Sequence, residues 1–201
     1  MKVIIVSHPD RAAYVARLQE CLDVVTTVVD TVNARSGHRA ALAIAAQHDE
    51  RVAIMEDDAI PSRFFHALSD VWAMKRPDDL VSFYLGTGYP RQFQPMIDQR
   101  IQQADNDGNA DIWLPTLIHG VCYSLPRATI PETLNRMDML HHIGQADYAI
   151  GAAWGRPVCY PIESLVQHRD TTPVERHPDG LTRKVPRVAR RLAEPLMFNP
   201  T

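Results

Sequence analysis

Val52-Ala53-Ile54-Met55-Glu56-Asp57-Asp58 is the stretch on which the reading of this chain turns. Four apolar residues form a short buried strand, and three carboxylates follow it at once. Just beyond, Pro61-Ser62 predicts the opening of a helix that runs to about Met74. A strand that stops on adjacent acids and then turns into a helix is a unit of a parallel α/β sheet. In such sheets ligands gather at the carboxyl ends of the strands.

On either side of this stretch, strand and helix signals alternate. Lys2 to Ser7 is a β-branched run that ends in the turn signal His8-Pro9-Asp10. Ala12, Val15, Leu18 and Leu22 recur at helical spacing, and Val24 to Val29 is again strand-like. Ser36 can cap a helix through Gln47. Leu80 to Leu85 predicts a strand leading into Gly86-Thr87-Gly88. The first 85 residues thus alternate as a parallel sheet covered by helices requires. Tyr89 to Trp113 is polar and weakly periodic, which predicts a mobile loop or an insertion over a site. His119 to Leu125 looks like a strand, and Pro131 to Leu140 and Gln145 to Trp154 look like helices. Val158 to Tyr160 and Ser164 to Gln167 look extended, and a last helix is expected over Val185 to Leu192.

The 201 residues suit one domain, since cores usually split beyond ~250 residues. Hydrophobic residues make up 45% and charged residues 22%, an ordinary globular balance. No apolar run approaches the ~20 residues of a membrane helix. The start MKVIIVSHPD turns polar too soon for a signal peptide and reads as a first strand. Cys21, Cys122 and Cys159 are widely spaced and odd in number, so a reducing cytoplasm is the expectation, with each a small core residue. The formal net charge of −3 argues against a uniformly basic nucleic-acid binder. From Arg176 to Arg191, however, six Arg and Lys stand against the single acid Asp179. That arm is either a solvated tail or a surface for phosphates, of a nucleotide or of a nucleic acid.

Three places carry chemistry. Adjacent carboxylates at Glu56-Asp57-Asp58 repel one another, and a hard divalent cation such as Mg²⁺ or Mn²⁺ would compensate them; a solvated acidic turn is the alternative. His168 closes Ser164-Leu165-Val166-Gln167-His168, where it is either a structural hydrogen-bonder or, if the sheet brings it beside Asp58, a nitrogen ligand that Mn²⁺ tolerates better than Mg²⁺. Asp147 opens an apolar helix, as a first-turn acid or as a general base for an acceptor hydroxyl.

These elements together resemble the GT-A class of nucleotide-sugar glycosyltransferases, in which a strand ends in an acidic DxD-type motif. The matching residues are Ile54-Met55-Glu56-Asp57-Asp58-Ala59, an EDD variant. His119 to Arg127 is similar to a strand and turn that lines the acceptor side. Ala146 to Gly151 is similar to the segment whose acid serves as base or acceptor ligand, and Ser164 to His168 to the one whose late histidine completes a metal shell. The order agrees over residues 1–170. The resemblance implies an α/β fold, a Rossmann-related, mostly parallel sheet sandwiched by helices with a small acceptor subdomain. It implies one catalytic domain over 1–170, with the basic extension 171–201 packing on or near the site. Asp58 would lead the metal ligands, with Glu56 and His168, while Asp57 would be shared with the donor. Ser7, His8 and Arg11 would border the nucleotide, Arg39 would reach the donor sugar or phosphates, and Asp147 would be the base. The departure from a strict DxD leaves open which two carboxylates hold Mn²⁺ or Mg²⁺.

The implied activity is a hexosyltransferase-like transfer from a nucleotide-diphosphate donor, with a UDP-sugar the leading choice. The acceptor would be a hydroxyl on DNA, protein or glycan, including a modified base in phage DNA, with the host cytoplasm as the location of a phage enzyme. Inversion and retention both stay open. A nucleotidyltransferase or metal phosphohydrolase would also cluster acids on a parallel sheet, although Ser7-His8-Pro9-Asp10 lacks the glycines of a phosphate loop. A non-catalytic nucleotide-binding module is the remaining alternative.

Overall fold

The structure, a computed structural model, describes residues 1–30, 33–169 and 186–198. Its elements in chain order are β1 (Val3–Ser7), α1 (Ala12–Cys21), β2 (Val24–Val29), α2 (Ala34–Ala45), β3 (Ala53–Glu56), β4 (Ala59–Pro61), α3 (Phe65–Lys75) and β5 (Val81–Ser82). There follow α4 (Gln94–Asp107), β6 (Asp111–Leu114), β7 (Cys122–Ser124), α5 (Ile130–Met139), α6 (Ala146–Trp154), β8 (Val158–Pro161) and β9 (Val166–His168). The central sheet has seven strands in the order β2-β1-β3-β7-β5-β8-β6.

Its first three strands are parallel, as the alternation of strand and helix predicts. The rest of the sheet is mixed, because β7 returns between β3 and β5 and runs antiparallel to both. β8 is parallel to β5, and β6 closes the edge antiparallel to β8. β2, β1, β3, β5 and β8 thus share one direction and β7 and β6 oppose it, so the sheet is mostly parallel, as expected, but mixed.

Alternation along the strands divides the core into two layers. Ile4, Val6, Ile54 and Tyr123 pack with Leu42 of α2, Ile101 of α4, Met137 of α5 and Ile150 of α6. Val3, Ile5, Met55 and Cys122 face the other way, onto Leu18 of α1 and Phe65 and Trp72 of α3. Glu56 lies two residues beyond Ile54, so the same alternation turns it toward the α2 layer. Cys122 and Cys159 are buried and Cys21 is partly so; all three are free thiols.

Four local expectations are corrected. Of the two alternatives for residues 89–113, the loop is overturned: they contain α4, whose Ile97, Ile101 and Ala104 form one narrow buried stripe on an otherwise polar helix. The cap of α2 is Asn33, whose side chain accepts from the Ser36 amide at 2.9 Å. Pro61 ends β4 rather than opening a helix, and α3 begins at Phe65. The expected helix over Val185 to Leu192 is absent from its described part, 186–192.

That part is instead an extended strap. Ala189 bridges Gly86, Leu192 bridges Ser164 and Leu196 bridges Ser62. These bridges lay 189–196 against the domain; Arg176, Asp179, Arg183 and Lys184 of the basic extension lie outside the described residues. Among the described residues no helix is long and apolar enough to cross a membrane.

Candidate active site

β1 ends at Ser7, and Pro9–Arg11 form one turn of 3-10 helix, which Pro9 favours by fixing its own backbone. That turn is bolted to the acidic run. Asp57 Oδ2 accepts from the Ser7 hydroxyl at 3.0 Å and from the His8 amide at 2.8 Å. Arg11 Nη1 donates to Asp57 Oδ1 at 2.8 Å and to Asp58 Oδ2 at 2.5 Å. Both carboxylates are nearly buried. Burial pushes Asp57 upward in pKa, and Arg11 and the His8 amide oppose it. Ser7, His8, Arg11 and Asp57, expected around a nucleotide, are thus gathered in one place. With both its oxygens engaged by protein donors, Asp57 braces the turn.

Asp58 and His168 meet through the small sheet. β4 pairs antiparallel with β9, Ala59 opposite His168, and the Arg169 amide donates to the Asp58 carbonyl at 2.8 Å. This register sets His168 Nε2 3.5 Å from Asp58 Oδ2. Asp58 Oδ1 and both nitrogens of His168 are buried and have no hydrogen-bond partner among the described residues. Burial lowers the pKa of His168 against the pull of Asp58, so the ring favours its neutral, ligand-competent form.

Three converging His, Cys, Asp or Glu groups that could hold a metal ion are not found among the described residues. The donor set is therefore one carboxylate and one imidazole. Orphaned buried atoms of these two types fit a divalent cation that keeps water or phosphate oxygens for the rest of its shell; they do not form a closed cage.

Glu56 stands apart from both aspartates. Its Oε1 lies 3.2 Å from His38 Nε2 on α2, and His38 Nδ1 lies 3.0 Å from the Tyr123 hydroxyl on β7. Burial alone would raise the pKa of Glu56; His38, with His168 and Arg187 farther off, brings it below the usual carboxylate range. Asp147, in the first turn of α6, joins this side. Burial, with the nearby charge of Glu56, raises it to about 6, against the Tyr148 amide that donates to it at 2.9 Å. Two carboxylates with pKa values pushed in opposite directions suit an acid–base division of labour.

His119 closes the third side. Its Nε2 lies 2.9 Å from the Tyr89 carbonyl, which can only accept, so Nε2 carries the hydrogen. Nδ1 is then a lone pair, buried and without a partner among the described residues. Burial lowers this ring's pKa to about 4. The ring of Tyr84 lies between the two histidines, 5.1 Å from His119 and 6.1 Å from His168.

Two expectations about cations are corrected. Arg39 does not join this group; its guanidinium makes two 2.6 Å bonds to Asp138 of α5 on the exposed outer face. In the arm, Arg190 is held by Asp98 and Gln94, and Arg191 by Asp105, all on α4. These acids come from the segment expected to be a loop or an insertion. Arg187 makes no ion pair among the described residues, and its field reaches Glu56, His119 and His168. The strap backbone beside it is fixed by Thr87, whose amide donates to the Val188 carbonyl at 2.8 Å.

His38, Tyr123 and Tyr84 were not apparent from sequence. His38 had a legible signal: it stands in the buried stripe of α2 with Ala41, Leu42 and Ala45, where a polar residue needs partners. Tyr123 sits in β7 and Tyr84 just beyond β5, both in apolar stretches that give no such signal. No protein-family model matches the chain, and no curated protein matches it.

Proposed function

We propose that the chain is a metal-dependent glycosyltransferase that moves a sugar from a nucleotide-diphosphate donor, a UDP-sugar first among them, to an acceptor hydroxyl. The observation that carries this reading is the pair Asp58 and His168 beyond the end of β3, whose Asp58 Oδ1 and imidazole nitrogens are buried without a hydrogen-bond partner among the described residues. Bound there, Mn²⁺ or Mg²⁺ would supply Lewis-acid neutralisation of the departing diphosphate. Asp58 and His168 would hold it, with Glu56 outside the set.

The chain's own residues divide the remaining work. The turn Ser7-His8-Pro9, braced by Asp57, frames the donor side. Arg187 adds positive charge from the strap. Asp147, near 6 and beside Glu56 and His38, takes the proton of the acceptor hydroxyl at neutral pH. Pairing of Arg190 and Arg191 with α4 removes two of the cations on which binding to DNA would depend. The acceptor is therefore proposed as a hydroxyl compound, with DNA the less favoured class.

The experiment is incubation with UDP- and GDP-sugars, with and without Mn²⁺, following nucleotide release and thermal shift. Mn²⁺-stimulated release supports the transferase. Release without sugar dependence favours a phosphohydrolase. A thermal shift without release favours a binding module, and neither response sinks all three.

A further inference from the structure

Glu56 opens the acidic run, yet its surroundings differ from those of its neighbours. Its side chain is 28% exposed, against 4% and 5% for Asp57 and Asp58. Only Oε1 is tied, to His38; Oε2 makes no hydrogen bond among the described residues. The support behind it is rigid and comes from three elements. His38 is fully buried, Tyr123 is fully buried opposite Ile54 of β3, and their rings stack at 5.7 Å and 21°. Gly120 shuts the last side. A Cβ there would stand 3.0 Å from Glu56 Oε1 and 3.4 Å from His38 Cε1, so a larger residue would push the carboxylate aside.

One tautomer satisfies the whole chain. Tyr123 donates to Nδ1, and Nε2–H donates to Glu56. A buried histidine with two partners is often only a core residue. Here the chain of bonds ends on a carboxylate whose free oxygen reaches solvent, in the electrostatic company of Asp147. Fixing one oxygen through two buried groups aims the other, which is how supporting residues hold a reacting side chain in place.

We infer that Glu56 is a ligand-contacting carboxylate that accepts a hydrogen bond from an acceptor hydroxyl, and that His38, backed by Tyr123, is the positioning residue that aims it. This rests on the transferase reading. It splits the acidic run: Asp57 and Asp58 serve the donor side, and Glu56 serves the acceptor side with Asp147.

The test uses the full chain with UDP-glucose or UDP-galactose and Mn²⁺, water being the acceptor, and measures kcat and donor KM with melting curves as a control. Glu56→Gln and His38→Phe are expected to lower kcat about tenfold or more with donor KM within about twofold. His38→Gln, which can still donate from Nε2, is expected to recover kcat to within about threefold of the parent, and Tyr123→Phe to fall between. An unchanged kcat in folded His38→Phe overturns the inference, as does His38→Gln no better than His38→Phe. So does Glu56→Gln raising donor KM as Asp58→Asn does. If His38→Phe fails to fold, His38→Gln and Tyr123→Phe decide: parental kcat in both overturns it, and loss confined to Tyr123→Phe supports it. A parent chain that turns over no donor overturns the transferase reading and this inference with it, whereas an active parent with indifferent variants overturns this inference alone.

Discussion

Arg11 Nη1 lies 2.5 Å from Asp58 Oδ2, on the oxygen that a cation bound by that carboxylate would contest. The pair is nearly buried, with side-chain exposures of 10% and 5%. Arg11 therefore holds the acidic run together when no other cation is present. Removing one partner of a buried ion pair costs about 3–5 kcal/mol, because a charge is left unpaired. Arg11→Gln is expected to destabilise the free protein by about 3 kcal/mol, since some solvent still reaches the pair. Mn²⁺ should then raise the melting temperature of the variant more than that of the parent. Melting curves with and without Mn²⁺ check this, and equal responses would refute the competition.

His168→Phe should separate stability from function. Both imidazole nitrogens are buried without hydrogen-bond partners among the described residues, and unsatisfied buried polar groups cost about 1–3 kcal/mol each. A phenyl ring of similar shape removes that cost. The variant is expected to melt at or above the parent while losing its response to Mn²⁺. Isothermal titration with Mn²⁺ alone gives the second readout. A retained Mn²⁺ affinity would remove His168 from the ligand set.

How far these sites were readable depends on the range of the interactions involved. The strand Val52 to Met55 and the acids after it were legible because burial and charge are written in adjacent residues. The meeting of Asp58 with His168 could be stated only as a condition, since it depends on β4 pairing with β9, and no local signal sets that register. The antiparallel insertion of β7 was illegible for the same reason. α4 leaves little trace in the sequence because its buried stripe is only one residue wide and its other faces are polar. The pairing of Arg190 and Arg191 was illegible with it, since their partners Asp98 and Asp105 lie on α4.

The arginines of the strap should not behave alike. Arg191 and Asp105 are both 45% exposed, and such surface pairs contribute about 0–1 kcal/mol. Arg191→Gln is expected to change stability by less than about 1 kcal/mol and to leave donor kinetics unaltered. Arg187 has no such partner among the described residues and acts on Glu56, His119 and His168 through its charge. Arg187→Gln is expected to leave stability within about 0.5 kcal/mol and to raise donor KM about tenfold at low salt. The difference should shrink as salt rises, since Arg187 is partly exposed and its charge is screened. Steady-state kinetics across an ionic-strength series measures both effects.

His119 and Asp147 set opposing pH dependences of stability. His119 has its pKa lowered to about 4 in the folded chain, against an ordinary 6.5. Its stabilising contribution is fully present above pH 6.5 and is lost as pH falls toward 4, because the unfolded chain takes up the proton first. Asp147 has its pKa raised to about 6, against 3.8. Its contribution is fully present below pH 3.8 and is lost as pH rises through 6, because the folded chain then keeps the proton longer. Each amounts to about 3 kcal/mol at 1.36 kcal/mol per pKa unit. Between pH 4 and 6 the two slopes oppose and largely cancel. Asp147→Asn removes one of them, so its stability should climb by about 3 kcal/mol from pH 4 to 6.5 more steeply than that of the parent. His119→Gln should do the reverse and lose stability as pH rises over the same window. Urea unfolding at half-unit pH steps resolves the two slopes. Parallel curves for parent and Asp147→Asn would show that Asp147 titrates at its ordinary value, and the role of general base would go with it.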